Sequence, residues 1–274
     1  METTLVFFSL IDSIGRMWAI SLRHLKQTYK DVWRFTNIFF WPLLNMVIWG
    51  FNAQWIQGNF AHDPRLPAAM LTALIGWQVS RRAIMDVSLH LFEEITDRNV
   101  ANIFSTPLSI VEWVGGIFIM SALNVTCATF ICMATVKILY GINILHGMGL
   151  ALLPFLITLF FAGLSFGFFS AAPLLIWGRR VHGIIFVLCE IFGPFSGAFY
   201  PIAVLPFFLQ SIAYMLPICH AVGGIRQAVM TGVVPWHMCG LSLGITTIYF
   251  VILFSAFVFL FKCSKNRGLE RLSD

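Results

Sequence analysis

Charge is scarce in this chain. Asp, Glu, Lys and Arg supply 11% of its 274 residues, against roughly 25% in soluble domains. With 59% hydrophobic residues, that scarcity excludes a disordered tail and a water-soluble enzyme. The basic excess is small, 17 Lys and Arg over 12 Asp and Glu. The apolar runs leave no surface for a basic stripe, so no nucleic-acid partner is expected. The six cysteines (Cys127, Cys132, Cys189, Cys219, Cys239 and Cys263) form no C-x-x-C pair. They read as small apolar packing residues rather than a disulfide scaffold, with a Cys219–Cys239 bridge as the alternative. No Gly-Lys dipeptide occurs, hence no P-loop to cradle phosphates, and the histidines form no H-E-x-x-H. No G-x-S-x-G nucleophile elbow is expected either. No catalytic residue, bound metal or cofactor is therefore assigned to this chain.

What the chain has is long apolar runs. A helix crossing the hydrocarbon core needs about 20 mostly apolar residues. Six stretches qualify as spans: Phe35–Ile56, Leu66–Phe92, Trp113–Val136, Met148–Trp177, the short Gly183–Gly197 and Met238–Phe261. A glycine-bounded turn, Gly141–Gly147, separates the third from the fourth. The interval 199–232 is also apolar, but Pro201, Pro206 and Pro217 break it, since proline removes a helical hydrogen bond and clashes with the preceding turn. Leu5–Ile11 is too short, and lacks the basic flank and cleavage site, to read as a signal peptide. The whole chain, 1–274, reads as one all-α polytopic membrane domain.

Basic residues orient it, because short cytoplasmic loops hold excess Lys and Arg. With both termini inside, the inner side holds Arg16, Arg23, Lys26, Lys30, Arg34, Arg98, Arg179, Arg180, Lys262, Lys265, Arg267 and Arg271. The outer side holds only Arg65, Lys137 and Arg226. Both termini are therefore expected in the cytoplasm.

Three segments are more than plain spans. Residues 13–34 place Trp18, Leu22, Leu25, Tyr29, Val32 and Trp33 on one helical face, with Arg16, Arg23, Lys26, Lys30 and Arg34 on the other. That pattern suits a helix lying at the membrane interface against anionic headgroups; the alternative is an ordinary basic flank. Residues 93–105 follow the second span. Glu93, Glu94, Asp97 and Arg98 cluster at the front, and Val100, Ile103 and Phe104 share one face of a short helix. Thr106-Pro107 ends it, and Ser109 with Glu112 forms a capping-box pattern opening the third span. An exposed Ile103 and Phe104 amid charge suits docking of a soluble partner; the alternative is a solvated connector. Residues 199–232 predict two short helices, about Leu205–Leu216 and Ala221–Met230, folded back into the outer leaflet, or else a plain outer loop.

Charges inside spans are expensive and mark function by default. Glu190 has three readings: facing a substrate path, pairing with a basic group, or held protonated. Arg81 and Arg82 lie about 100° apart on a helix, so at most one points readily into the bundle, and the other either snorkels or pairs with Asp86, four residues beyond Arg82; a structural ion pair is expected over a ligand role. Gly163-Leu-Ser-Phe-Gly167 has the small-xxx-small spacing of close helix packing.

The order of these parts resembles the ABC type-2 exporter permeases. The residues carrying the likeness are Phe104-Ser-Thr-Pro-Leu-Ser-Ile-Val-Glu112 and Ser196-Gly-Ala-Phe-Tyr-Pro-Ile-Ala-Val-Leu-Pro206, then Leu216-Pro217, His220 and Arg226. The likeness runs over almost the whole chain. It implies an inner-membrane transport subunit, not an enzyme, that pairs with a second permease copy as a homodimer. An ATP-binding cassette ATPase on a separate chain would hold ATP and Mg. Glu93, Glu94, Asp97, Arg98, Ile103 and Phe104 would belong to the coupling helix that the ATPase grips. Tyr200, Pro201, Pro206, Pro217 and Arg226 would form the re-entrant exit segment. The implied cargo is a lipid, glycolipid, polysaccharide or drug. The competing reading is a stand-alone secondary transporter or channel built on Glu190 and Arg81/Arg82.

Overall fold

The computed structural model describes residues 2–30, 32–61, 63–144, 148–269 and Leu272. Residues 145–147 of the expected turn, the side chains of Tyr29, Trp33 and Arg34, and Arg271 lie outside that set. The described residues form helices α1 Glu2–Lys30, α2 Val32–Ile56, α3 Leu66–Thr96, α4 Val100–Ser105 and α5 Ile110–Tyr140. After these come α6 Leu152–Trp177, α7 His182–Glu190, α8 Phe207–Met215, α9 Pro217–Thr231 and α10 Trp236–Asn266. No strand occurs among the described residues.

Proline and glycine set most of the breaks. Pro67 sits in the first turn of α3 and Pro217 in the first turn of α9, where the missing N–H has no helical partner to lose. Gly141 and Gly232 end α5 and α9 with φ of 69° and 75°, the left-handed cap that glycine adopts without penalty. At the start of α5 the expected capping box is complete. Glu112 N–H donates to the Ser109 hydroxyl at 3.2 Å, and Ser109 N–H donates to Glu112 Oε2 at 2.8 Å.

Polar side chains are buried within the apolar core, and large apolar side chains also face outward. Ser80, Asp86, Ser88, Ser121, Asn124, Ser165 and Ser170 are buried. Phe40, Phe51 and Trp55 on α2, and Ile248, Val251 and Phe259 on α10, are exposed. Among the described residues, three helical stretches are long and apolar enough to cross a membrane: Ile110–Tyr140, Gly149–Glu190 and Trp236–Asn266. A fourth is reached if α8 and α9, bent by 96° at their junction, count as one. Helices α2 and α3 are of similar length but more polar, with Asn45, Asn52 and Gln54 in one and five charged residues in the other.

The central seam joins α3 to α6. Gly163 lies against the Ser80 carbonyl and Gly167 against Val87, so closely that an added Cβ would come within 2.5 and 2.9 Å of them. Ser80 Oγ donates to Leu159 O at 2.8 Å across the same seam. The small-xxx-small pair is thus the main packing surface of the bundle. Read as letters, the same residues spell G-x-S-x-G, which corrects the expectation that this pattern is absent. They lie in mid-helix and Ser165 Oγ donates to Phe161 O at 2.8 Å. A nucleophile elbow needs a strand-to-helix turn, so the pattern carries no chemistry here.

Two expected segments differ. The fifth stretch, Gly183–Gly197, is helical only through Glu190, and turns follow, with Gly197 at φ 73°. Gly193-Pro194 interrupts helical bonding there. Nine residues of helix reach about 14 Å, under half the hydrocarbon thickness. The N-terminal helix begins at Glu2 rather than Ser13. Its inward face is neither the aromatic nor the basic one: Ser21, His24 and Thr28 are buried, while Trp18 is exposed.

Candidate functional site

Long-range contacts gather α1, α4, the starts of α5 and α7 and the end of α10 at one end of the bundle. Arg16 on α1 meets Glu112 on α5, Nε to Oε1 at 2.9 Å. That carboxylate raises the Arg16 guanidinium above its ordinary range through its hydrogen bond. Ser21 Oγ donates to Gly116 O at 2.9 Å, and Gly115 and Gly116 lie against Met17 and Ile20. Arg23 Nη2 donates to Glu94 Oε2 at 2.7 Å, and Asn99 Nδ2 reaches the same oxygen at 3.1 Å. The backbone of Leu272 packs on Gly178. Arg16, Arg23, Arg98, Arg179 and Lys262, all assigned by sequence to the inner side, belong to this end.

The expected coupling residues fall into two groups here. Glu93 and Glu94 are the last turn of α3, not part of the short helix, and Glu94 is buried under Arg23. Asp97 and Arg98 form the exposed turn, where Arg98 takes a left-handed backbone at φ 55°. This is a position glycine normally fills. Phe104 is 8% exposed, which overturns its expected exposure. Its ring packs on Phe261 at 4.5 Å and Trp113 at 6.4 Å between centroids. Ile103 is half-buried against the same core. A six-residue helix has one apolar face, and the ends of α5 and α10 cover it. What remains accessible is polar: Thr96, Asp97, Arg98, Asn102, Ser105 and Thr106.

In mid-bundle, the charges pair. Arg82 meets Asp86 at 2.8 Å, one turn on, as the spacing predicts. Asn124 Nδ2 lies 3.4 Å from the same carboxylate oxygen. Arg81 Nε donates to Glu190 Oε1 at 2.6 Å, at the end of α7. Of the three readings of Glu190, the basic partner is the one present. The two pairs differ in setting: Asp86 is 1% exposed, while the Glu190 side chain is 54% exposed.

At the opposite end, Pro206 caps α8, and Leu216-Pro217 makes the bend to α9. The helices run Phe207–Met215 and Pro217–Thr231 rather than the expected Leu205–Leu216 and Ala221–Met230, because Pro217 opens the second. Arg226 Nη2 donates to Ala198 O at 2.9 Å, tying α9 to the turns before it. A cavity of about 220 Å³ lies between Pro201, Tyr214, His220 and Arg226. Tyr200 is half-buried nearby. Arg65 donates to Met230 O at 2.9 Å, so Arg65 and the helix carrying Arg226, both assigned to the outer side, share one end. Cys219 and Cys239 are free and buried, so the alternative bridge is not formed.

A larger cleft, about 420 Å³, opens between α5 and α6. Ala122, Val125, Phe130, Met133, Leu156 and Phe160 are among its walls, and it is almost wholly apolar. Sequence reasoning missed this cleft, the Arg16 partner of Glu112 and the aromatic cover of Phe104. No local pattern announces any of them. No family model matches the chain, and no curated protein matches it.

Proposed function

We propose that this chain is the membrane-spanning subunit of an ATP-driven exporter, worked by a separate ATPase subunit. The observation that carries the reading is the anchoring of α4. Its apolar face is clamped by Trp113 and Phe261, and Asn99 at its start is bonded to Glu94 of α3, which Arg23 of α1 also holds. A push on the polar turn at Asp97 and Arg98 is thereby delivered to α1, α3, α5 and α10 together. A flexible connector would dissipate it. The absence of a P-loop leaves ATP and Mg to the partner.

In this reading six crossings are made by α2, α3, α5, α6, α10 and the α7 segment with its non-helical continuation. The helix α1 lies along the cytoplasmic interface of a bacterial inner membrane, and α8–α9 form a re-entrant pair near the exit. Non-helical backbone at membrane depth is tolerated where protein or a watery cavity covers it, which the turns after Glu190 require. The half-exposed Arg81–Glu190 pair has the same need, since hydrocarbon is a poor neighbour for charge. A second permease copy against this face, or a path lined by both copies, meets it. The apolar cleft between α5 and α6 favours a lipid-like or drug-like moiety over a bare polysaccharide, because few of its atoms can hydrogen-bond.

The same Arg81–Glu190 pair supports the second reading, a stand-alone secondary transporter or channel. Reconstitution separates the two. Vesicles holding this chain with its ATPase should show ATP-dependent transport that falls in Asp97→Ala, with the fold unchanged. Gradient-driven flux in vesicles holding this chain alone would favour the second reading instead.

A further inference from the structure

The inward face of α1 meets the last turns of α3 through a pair of buried histidines that no part of the exporter reading uses. His24 is 1% exposed and His90 is 5% exposed. Their rings lie 4.2 Å apart between centroids, tilted by 47°. Glu93 stands one turn beyond His90, with Oε2 at 3.4 Å from His90 Nδ1. Glu94 Oε1 lies 3.6 Å from His24 Nε2. Neither ring nitrogen of His90 has a hydrogen-bond partner among the described residues. A buried imidazole normally satisfies at least one of its nitrogens, so this one calls for a ligand.

We propose that His24, His90 and Glu93 hold a divalent transition-metal ion of the zinc class. One ligand atom from each of the three lies within 4.8 Å of the other two. Zinc at about 2.0–2.2 Å from nitrogen and oxygen ligands sets those atoms about 3.3 Å apart in a tetrahedron, so side-chain rotations of about 1 Å close the site. Two imidazoles and a carboxylate form a borderline donor set, which suits zinc, cobalt or nickel and not calcium or magnesium. Glu94, beside His24, is positioned to orient that ring as a neighbouring carboxylate does in many metal sites. The ion would staple α1 to α3 two to three turns before α4. It stands whether or not the chain is an exporter subunit.

The test uses the full chain, purified in detergent, stripped with chelator and titrated with cobalt(II), whose visible absorption reports four-coordinate geometry. One cobalt per chain, displaced by zinc, is the expected result, together with a zinc-dependent rise in melting temperature. His90→Gln and His24→Gln should each weaken binding by more than about 10-fold, the scale set by losing even an outer partner of a metal ligand. Glu93→Gln, on a partly exposed residue, should do the same where a histidine variant fails to fold. Exposed His237→Gln should bind like the parent. Absence of the cobalt spectrum in the parent chain, or undiminished binding in His90→Gln and Glu93→Gln, would overturn the site and leave histidines that merely pair with carboxylates.

Discussion

Arg16 and Glu112, 96 residues apart, share one ion pair, and the same carboxylate closes the capping box of α5. Glu112 therefore does two jobs: it satisfies the backbone at the start of a 31-residue helix and it fixes α1 on that start. An acid in the first turn is also favoured by the helix dipole.

The two jobs separate by mutation. Ser109→Ala should lower stability by about 1 kcal/mol, the usual loss of an N-cap. Glu112→Gln should lower the melting temperature further, because it weakens both the cap and the hold on α1. Arg16→Gln should have the smallest effect of the three, since Arg16 is partly solvated and the cap survives. Thermal unfolding in detergent ranks them, and an Arg16→Gln effect equal to Glu112→Gln would deny the cap its share.

The α3–α6 seam makes a second comparison. Gly163→Ala places a methyl group 2.5 Å from the Ser80 carbonyl and 2.7 Å from Ala83 Cβ. Overpacking of this kind costs roughly 1–3 kcal/mol. Gly244→Ala, in the middle of α10 with nothing near its added Cβ, should stabilise by about 0.5–1 kcal/mol through helix propensity. Melting temperatures that move together would show that the seam is looser than described.

Burial distinguishes the two mid-bundle ion pairs. Asp86→Asn leaves Arg82 without its buried partner and should cost about 3–5 kcal/mol. Glu190→Gln breaks a half-exposed pair and should cost under about 1 kcal/mol in the isolated chain. If a second copy covers that face, the Glu190→Gln penalty should grow in the assembled complex. Comparing unfolding of monomer and assembly reads this directly.

Arg98 offers a way to separate folding from coupling. Its left-handed backbone penalises a side chain, so Arg98→Gly should hold or raise stability by about 1 kcal/mol. If its guanidinium touches the ATPase, the same substitution should reduce transport-coupled ATP hydrolysis. A stable variant with normal coupling would remove Arg98 from the contact. Phe104→Ala, by contrast, should lose stability by about 3 kcal/mol or more, as a core aromatic does, and so cannot isolate the docking step.

Features decided within a few residues were readable in advance. Ser109 and Glu112 three apart, Arg82 and Asp86 four apart, and prolines at 201, 206 and 217 each act through local backbone geometry, and each sits where its chemistry requires. The apolar length of α5, α6 and α10 belongs with them, because hydropathy is a property of the run itself. Where the fifth stretch ends in turns, Gly193-Pro194 was a readable warning that composition outvoted.

Pairing across the bundle was decided only when the helices packed. Arg81 finds Glu190 109 positions away, and His24 finds His90 on another helix. Such partners depend on the relative rotation of two rods, which no window of sequence contains. The face of α4 that is covered is a matter of the same kind. Six residues are too few for periodicity to say whether Phe104 points to a partner or to the core, and the ends of α5 and α10 settle it by filling that space.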